Sequence, residues 1–203
     1  MNEPNLLIVE DLLLLLLDDE TGTIAGEGTL HYALGGAVIA ELALAGHVRT
    51  AEQTVFHGLK VSAVSEAHVS DPLLRRAYEK IAERPRGIQT LLLEIGADLR
   101  SIVLDRLLHR GVLRRETRKW LKIFTTSRLP TNAPLHEAAM LEAVRAVLED
   151  GAEPENAREA TLVALLSATG TLPQFHPGNL LVRQSLRPWQ GTRECLLGSP
   201  SRR

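Results

Sequence analysis

Residues 6–22, LLIVEDLLLLLLDDETG, constrain the fold more than any other stretch of the chain. Ten of the twelve residues from Leu6 to Leu17 are apolar, and the two exceptions, Glu10 and Asp11, are adjacent acids. A helix that crosses a bilayer needs about 20 apolar residues, so this run is too short and carries charge inside it. A secretory signal opens with a basic region, yet no Lys or Arg precedes Arg49. The stretch must therefore be buried in protein. Its apolar residues cover more than one helical face, which predicts a central helix with the acids near one edge. DDETG then stops it, because two aspartates disfavour continuation and Gly22 allows a turn.

The remaining sequence supplies partners for such a helix. LHYALGGAVIAELALAGHV (30–48) has Glu41 as its only charge and reads as a second buried helix. Gly35 and Gly36 weaken it as a helix but permit close packing. TVFHGLKVSAV (54–64) predicts a short hairpin around His57-Gly58. SDPLLRRAYEKIAERP carries a Ser70 or Asp71 cap ahead of Pro72 and predicts a helix that Pro85 ends. GIQTLLLEIG predicts a short helix. In DLRSIVLDRLLHRG (98–111), Leu99, Ile102, Val103 and Leu107 line one face and Asp98, Ser101, Asp105 and His109 the other. A strand-like segment with a charged centre follows. PLHEAAMLEAVRAVLEDG (134–151) and ENAREATLVALLSATG (155–170) predict two more helices with glycine stops. The expectation is a mostly α, single-domain protein over residues 1–172, with a central buried helix, amphipathic helices around it and a protruding β-hairpin. Residues 173–203 are rich in Pro, Gly and Arg without helical period and read as loop or disorder.

Composition narrows the function classes. Hydrophobic residues make up 44% and charged residues 24%, which suits a soluble globular chain. The single cysteine, Cys195, has no internal disulfide partner, consistent with a reducing, cytoplasmic setting. Charge is uneven. Residues 71–130 hold fourteen Lys or Arg against seven Asp or Glu, while residues 1–48 hold eight acids and no Lys or Arg. That pattern predicts one basic face.

Motifs for chemistry are missing. The seven histidines are scattered and none forms HExxH or joins a Cys cluster, so no metal site or cofactor is expected. There is no P-loop, dinucleotide fingerprint or nucleophile elbow. Acids near helix ends, Glu10, Asp11, Asp18 and Asp19 among them, are expected as solvated or capping groups. A non-enzymatic protein is expected. ELALAGHVRTAEQTVFHGLKVSA and LDRLLHRGVLRRETRKWLKIFTTS each run helix, glycine, hairpin, the outline of a winged helix. Nucleic-acid binding would need a basic recognition helix, and the 30–46 helix has no Lys or Arg. In the 98–110 helix, Arg100, Arg106 and Arg110 are balanced by two aspartates. Nucleic acid is therefore the alternative partner, beside a protein-interaction scaffold, and neither is the expected one.

Taken together, these segments resemble the Golgi phosphoprotein 3 family, as a divergent member of bacterial type. The resembling features are the acid-interrupted leucine helix, ALGGAVIAELALAGHV, a helix ending in RGVL, and the threonine-rich hairpin IFTTSRLPTNA, across about residues 5–170. The resemblance implies a peripheral membrane adaptor that binds anionic lipid, in eukaryotic members phosphatidylinositol 4-phosphate. The family's headgroup residues are a Trp before the second helix, an Arg within it and two later Arg. These fall near Gly26 or Glu27, at Gly35, at Ala97 and at Arg100, so Arg100 alone is matched. A phosphomonoester binds best to several converging cations, so either the lipid is a different one or Arg84, Arg86, Arg114 or Lys119 substitute. The resemblance also implies self-association through the hairpin, where Trp120, Leu121, Ile123 and Phe124 gather four apolar residues.

Overall fold

Every residue of the first helix, α1 (Ile8–Leu16), is buried in the computed structural model. The structure describes residues 5–19, 21–51, 59–65, 68–84, 86–120 and 124–171, with the backbone alone at 51, 117–120 and 124–127. The expectation for the tail, residues 173–203, falls outside them.

Burying each aliphatic side chain of α1 contributes about 1.5–3 kcal/mol, which favours a place at the centre of the fold. The helix stops as the sequence predicts. Leu17 bridges Ile24 across a turn, Asp18 Oδ1 accepts the Thr21 N–H at 2.7 Å, and Gly22 takes a φ of 70°.

Around α1 lie α2 (Leu30–Leu44), α3 (Pro72–Ala82), α4 (Ile88–Gly96), α5 (Leu99–His109), α6 (Pro134–Glu149) and α7 (Ala157–Thr169). These elements belong to one compact unit, Met1–Thr171. The mostly α architecture matches the expectation. α3 starts as predicted: Asp71 caps it by accepting the N–H groups of Leu73 and Leu74. On α5 the predicted face holds: Leu99, Val103 and Leu107 are buried, Ile102 is half-buried, and Asp98, Ser101, Asp105 and His109 are exposed.

The tightest helix crossing is between α2 and α4, and glycine makes it possible. A Cβ on Gly96 would sit 1.8 Å from the His31 carbonyl oxygen, and one on Gly35 would sit 2.6 Å from that of Leu92. No side chain fits at either point, so the two backbones touch there.

Two small antiparallel sheets complete the unit. β1 (Val48–Ala51), β2 (Lys60–Ala63) and β3 (Arg86–Gly87) pair in that order. The first strand lies ahead of the predicted 54–64 hairpin, in residues for which the sequence predicts no strand, just after the glycine stop at Gly46. The β-branched Val48 and Thr50 lie a short turn beyond the helix and pair with Ala63 and Val61. The predicted turn at His57-Gly58 falls outside the described residues. β4 (Glu116–Trp120) and β5 (Phe124–Arg128) form a separate two-stranded hairpin, in register from Glu116↔Arg128 to Trp120↔Phe124.

Candidate functional site

The two acids of the leucine run are buried among guanidinium groups. Glu10 is 0% and Asp11 4% exposed. Arg106 and Arg110 lie one turn apart on α5, so both reach the same partner. Arg106 Nε donates to Glu10 Oε1 at 2.9 Å and Arg110 Nη1 donates to Glu10 Oε2 at 2.8 Å. Glu10 Oε2 also accepts the Leu7 N–H and so caps its own helix. Asp11 accepts from Arg158 Nη2 of α7 at 2.6 Å and is hydrogen-bonded to His136 Nε2 of α6 at 2.9 Å. Glu41 of α2 accepts the Ile8 N–H at 2.6 Å and Arg158 Nη1 at 3.3 Å.

Arg106 continues the network to Asp71, the α3 cap. Burial would raise the Asp71 carboxyl, but the Arg106 hydrogen bond and charge and the two capping N–H groups outweigh it and hold it below its usual range. Burial likewise works to lower Arg106, and Asp71 and Glu10 together hold it above its ordinary value. A carboxylate that accepts several charged donors is a poor base. This network fastens α1 to five other helices, α2, α3, α5, α6 and α7. Of the four acids expected as solvated or capping groups, Glu10 and Asp11 are thus buried, Glu10 while also capping α1, whereas Asp18 is exposed and accepts within its turn as expected. The signal in the sequence was the adjacency of two acids inside an otherwise unbroken apolar run, which requires buried countercharges.

A cavity of about 430 Å³ opens beside the network, where Glu41, Asp71, Arg106 and Arg110 form part of its wall. All four are already in ion pairs. A second cleft, of about 260 Å³, lies between α3, α4 and α5, with Leu73, Ile95 and Leu99 below and Arg76, Lys80 and Asp98 at its rim. Among the described residues no group of three or more His, Cys, Asp or Glu side chains is placed to hold a metal ion.

The basic residues singled out in the sequence stand apart from one another in their partners. Arg100, in the first turn of α5, pairs at 3.1 Å with Glu27 of the turn before α2. Arg86 pairs with Glu83 and Glu94, and its buried Nε has no partner among the described residues. Arg114 pairs with Glu116. Arg84 is exposed. The side chains of Lys119, Trp120, Leu121, Ile123 and Phe124 lie outside the described residues. What the structure gives there is backbone: Trp120 and Phe124 are cross-strand partners at the far end of the ladder.

The near end of that hairpin is tied down. Leu113 bridges Thr131, and the Thr131 N–H donates to Asp19 Oδ2 at 3.1 Å. In the first turn of α6, half-buried Glu137 is pushed up to about 7, by burial first and then by the negative charge of Asp19, with His136 opposing.

Among the described residues no helix is long and apolar enough to cross a membrane. A search of curated proteins finds no match. The family model described as Golgi phosphoprotein 3 (GPP34) matches residues 8–195. That match takes in the buried helix, both glycine contacts and the hairpin, and runs beyond residue 170, where the sequence resemblance ended. The chain belongs to the Golgi phosphoprotein 3 family.

Proposed function

We propose that this chain is a non-enzymatic, cytoplasmic adaptor that docks peripherally on anionic membrane through the β4–β5 hairpin, with little preference for phosphatidylinositol 4-phosphate over other anionic lipids. One observation carries the reading: where the positive excess lies. Residues 114–128 hold six Lys or Arg and one acid. By contrast Arg106 and Arg110, two of the cations on α5, are consumed by buried acids. In the sequence five of the six cations flank Trp120, Leu121, Ile123 and Phe124 and the sixth, Lys122, stands among them, a mixed apolar and basic run that suits the headgroup boundary. Each basic residue near an anionic surface contributes about 1 kcal/mol, and salt screens it.

Low headgroup preference follows from the matched positions. Gly35 is filled by the α4 backbone, Ala97 has no charge to offer, and Arg100 is paired with Glu27. The same facts argue against duplex nucleic acid, because α5 presents no row of free arginines. Self-association through the hairpin is a second reading. Its two-stranded ladder has no further strand partner on either edge among the described residues, and open edges invite pairing with another copy.

Co-sedimentation with phosphatidylserine vesicles at low and high salt tests the proposal. Binding at low salt that falls sharply at high salt is expected, and Lys119→Gln with Lys122→Gln should weaken it roughly tenfold or more, from about 1 kcal/mol per charge. No binding at low salt removes the membrane reading. Equal binding to duplex DNA promotes the nucleic-acid one.

A further inference from the structure

We infer that the cleft between α3, α4 and α5 is a binding site for a small amphiphilic carboxylate, its charged end at Lys80 and Arg76 and its aliphatic chain on the cleft floor. The inference goes beyond the hairpin reading and does not depend on it.

The sequence of α3 builds one wall. Leu73 and Ala77 are four residues apart, and so are Arg76 and Lys80. An apolar pair and a basic pair therefore run side by side along the helix. Leu73 and Ala77 are buried, as are Ile95 of α4 and Leu99 of α5, which line the same cleft. The space among them is about 260 Å³, just under the roughly 300–1,000 Å³ of a drug-sized site. An apolar hollow with a few polar groups at one edge is the usual form of a small-ligand site, and this volume suits a short chain.

The rim supplies the charge. Arg106 borders the cleft but is taken up by Glu10 and Asp71, and Glu94 is taken up by Arg86. Three charges remain. Arg76 and Asp98 stand 3.7 Å apart, beyond hydrogen-bond length, and both are open to water. Half-buried Lys80 donates to the Glu94 carbonyl at 3.2 Å, its one partner among the described residues. That carbonyl lies in the last turn of α4, where acceptors lack helical donors. One ammonium N–H is used there and two are left. The rim thus carries one net positive charge. It matches a single carboxylate and is a poor match for a dianion. A neutral apolar ligand would cover Lys80 and leave its charge unanswered, which is costly.

The test titrates octanoate, below its micellar concentration, into the full chain, with acetate and octanol as controls. In methyl-labelled protein the Leu73, Ile95 and Leu99 resonances should shift with octanoate, far less with octanol, and not with acetate. Lys80→Gln can still donate to the Glu94 carbonyl. It should weaken octanoate about tenfold, the loss of one charge-assisted hydrogen bond, and leave octanol unchanged. Arg76→Gln should weaken octanoate about two- to threefold, because that guanidinium is exposed and shared with Asp98. Cleft methyls that ignore octanoate overturn the inference. So does octanol binding as well as octanoate, or octanoate affinity that survives both substitutions together.

Discussion

Arg158 of α7 and Asp11 of α1 meet at 2.6 Å, and the same guanidinium reaches Glu41 of α2 and the Leu6 carbonyl. One side chain thus closes three helices around the start of the leucine run. Removing it leaves Asp11 with His136 alone and strands a nearly buried charge. Breaking a buried pair costs about 3–5 kcal/mol. Because water still reaches part of Arg158, Arg158→Met should cost about 2–4 kcal/mol in urea denaturation. A loss under about 1 kcal/mol would mean that His136 and solvent suffice for Asp11.

The two shifted carboxyls pull the stability profile in opposite directions. Glu137 titrates near 7, above its ordinary range. The folded state therefore holds that proton more tightly than the unfolded chain. Its effect is nil in acid, becomes a cost as pH rises through the ordinary carboxylate range, and levels off above about 7. The full linkage would be roughly 3 kcal/mol, and half-exposure reduces it to about 1–2 kcal/mol. Glu137→Gln should thus stabilise the protein at pH 8 and leave it unchanged at pH 4. Asp71 is held low, so its contribution is present above its ordinary range and lost as pH falls through its folded value. Asp71→Asn keeps a capping side chain and should lower stability at neutral pH while leaving it unchanged at the acid extreme, which flattens the acidic limb. Melting temperatures from pH 3 to 8 for the three proteins distinguish these outcomes.

Glycine at the α2–α4 crossing predicts a graded response. Gly96→Ala would push a methyl into the His31 carbonyl and Gly35→Ala one into Leu92. Overpacking costs about 1–3 kcal/mol, with Gly96→Ala at or above the top of that range. Gly28 has open space around it, so Gly28→Ala serves as the control and should be near neutral. Chemical denaturation ranks the three. If Gly96→Ala and Gly28→Ala proved equal, the backbones would not be in contact.

The hairpin aromatics offer a fourth test. With Trp120→Ala and Phe124→Ala together, sedimentation velocity should report a smaller species if copies associate through the hairpin, while circular dichroism keeps its helical signal. A melted monomer would assign those rings to the core of the domain. An unchanged assembly would place the contact elsewhere.

Much of this fold is legible in the sequence, and the reasons are local. Every helix has its signal within its own span: the leucine run of α1, the Asp71 cap of α3, the 3.6-residue period of α5 and the glycine stops after α6 and α7. The close packing expected from Gly35 is present, although its partner, the α4 backbone, is not written nearby. The first strand was missed because Val48–Ala51 is only four residues long and its partner, Lys60–Ala63, is separated from it in sequence. The ion network was hidden for a different reason. Glu10 meets Arg106 and Arg110, and Asp11 meets Arg158, across separations that no window of sequence spans. Helical period could place Arg106 and Arg110 on one face, but not show that the face turned inward. At the candidate site, Arg100 was identifiable as a residue, whereas its pairing with Glu27 joins two segments that lie far apart in the sequence.

The separation between Asp11 and Arg158, 147 residues, has a consequence for how the protein is made. At about 5–20 residues per second, the ribosome needs roughly 7–30 s to go from one to the other. Over that interval Asp11 waits for its guanidinium, whereas the partners of Glu10, Arg106 and Arg110, are made about 50 residues earlier. The leucine run thus receives its buried countercharges in two instalments, first from α5 and then from α7.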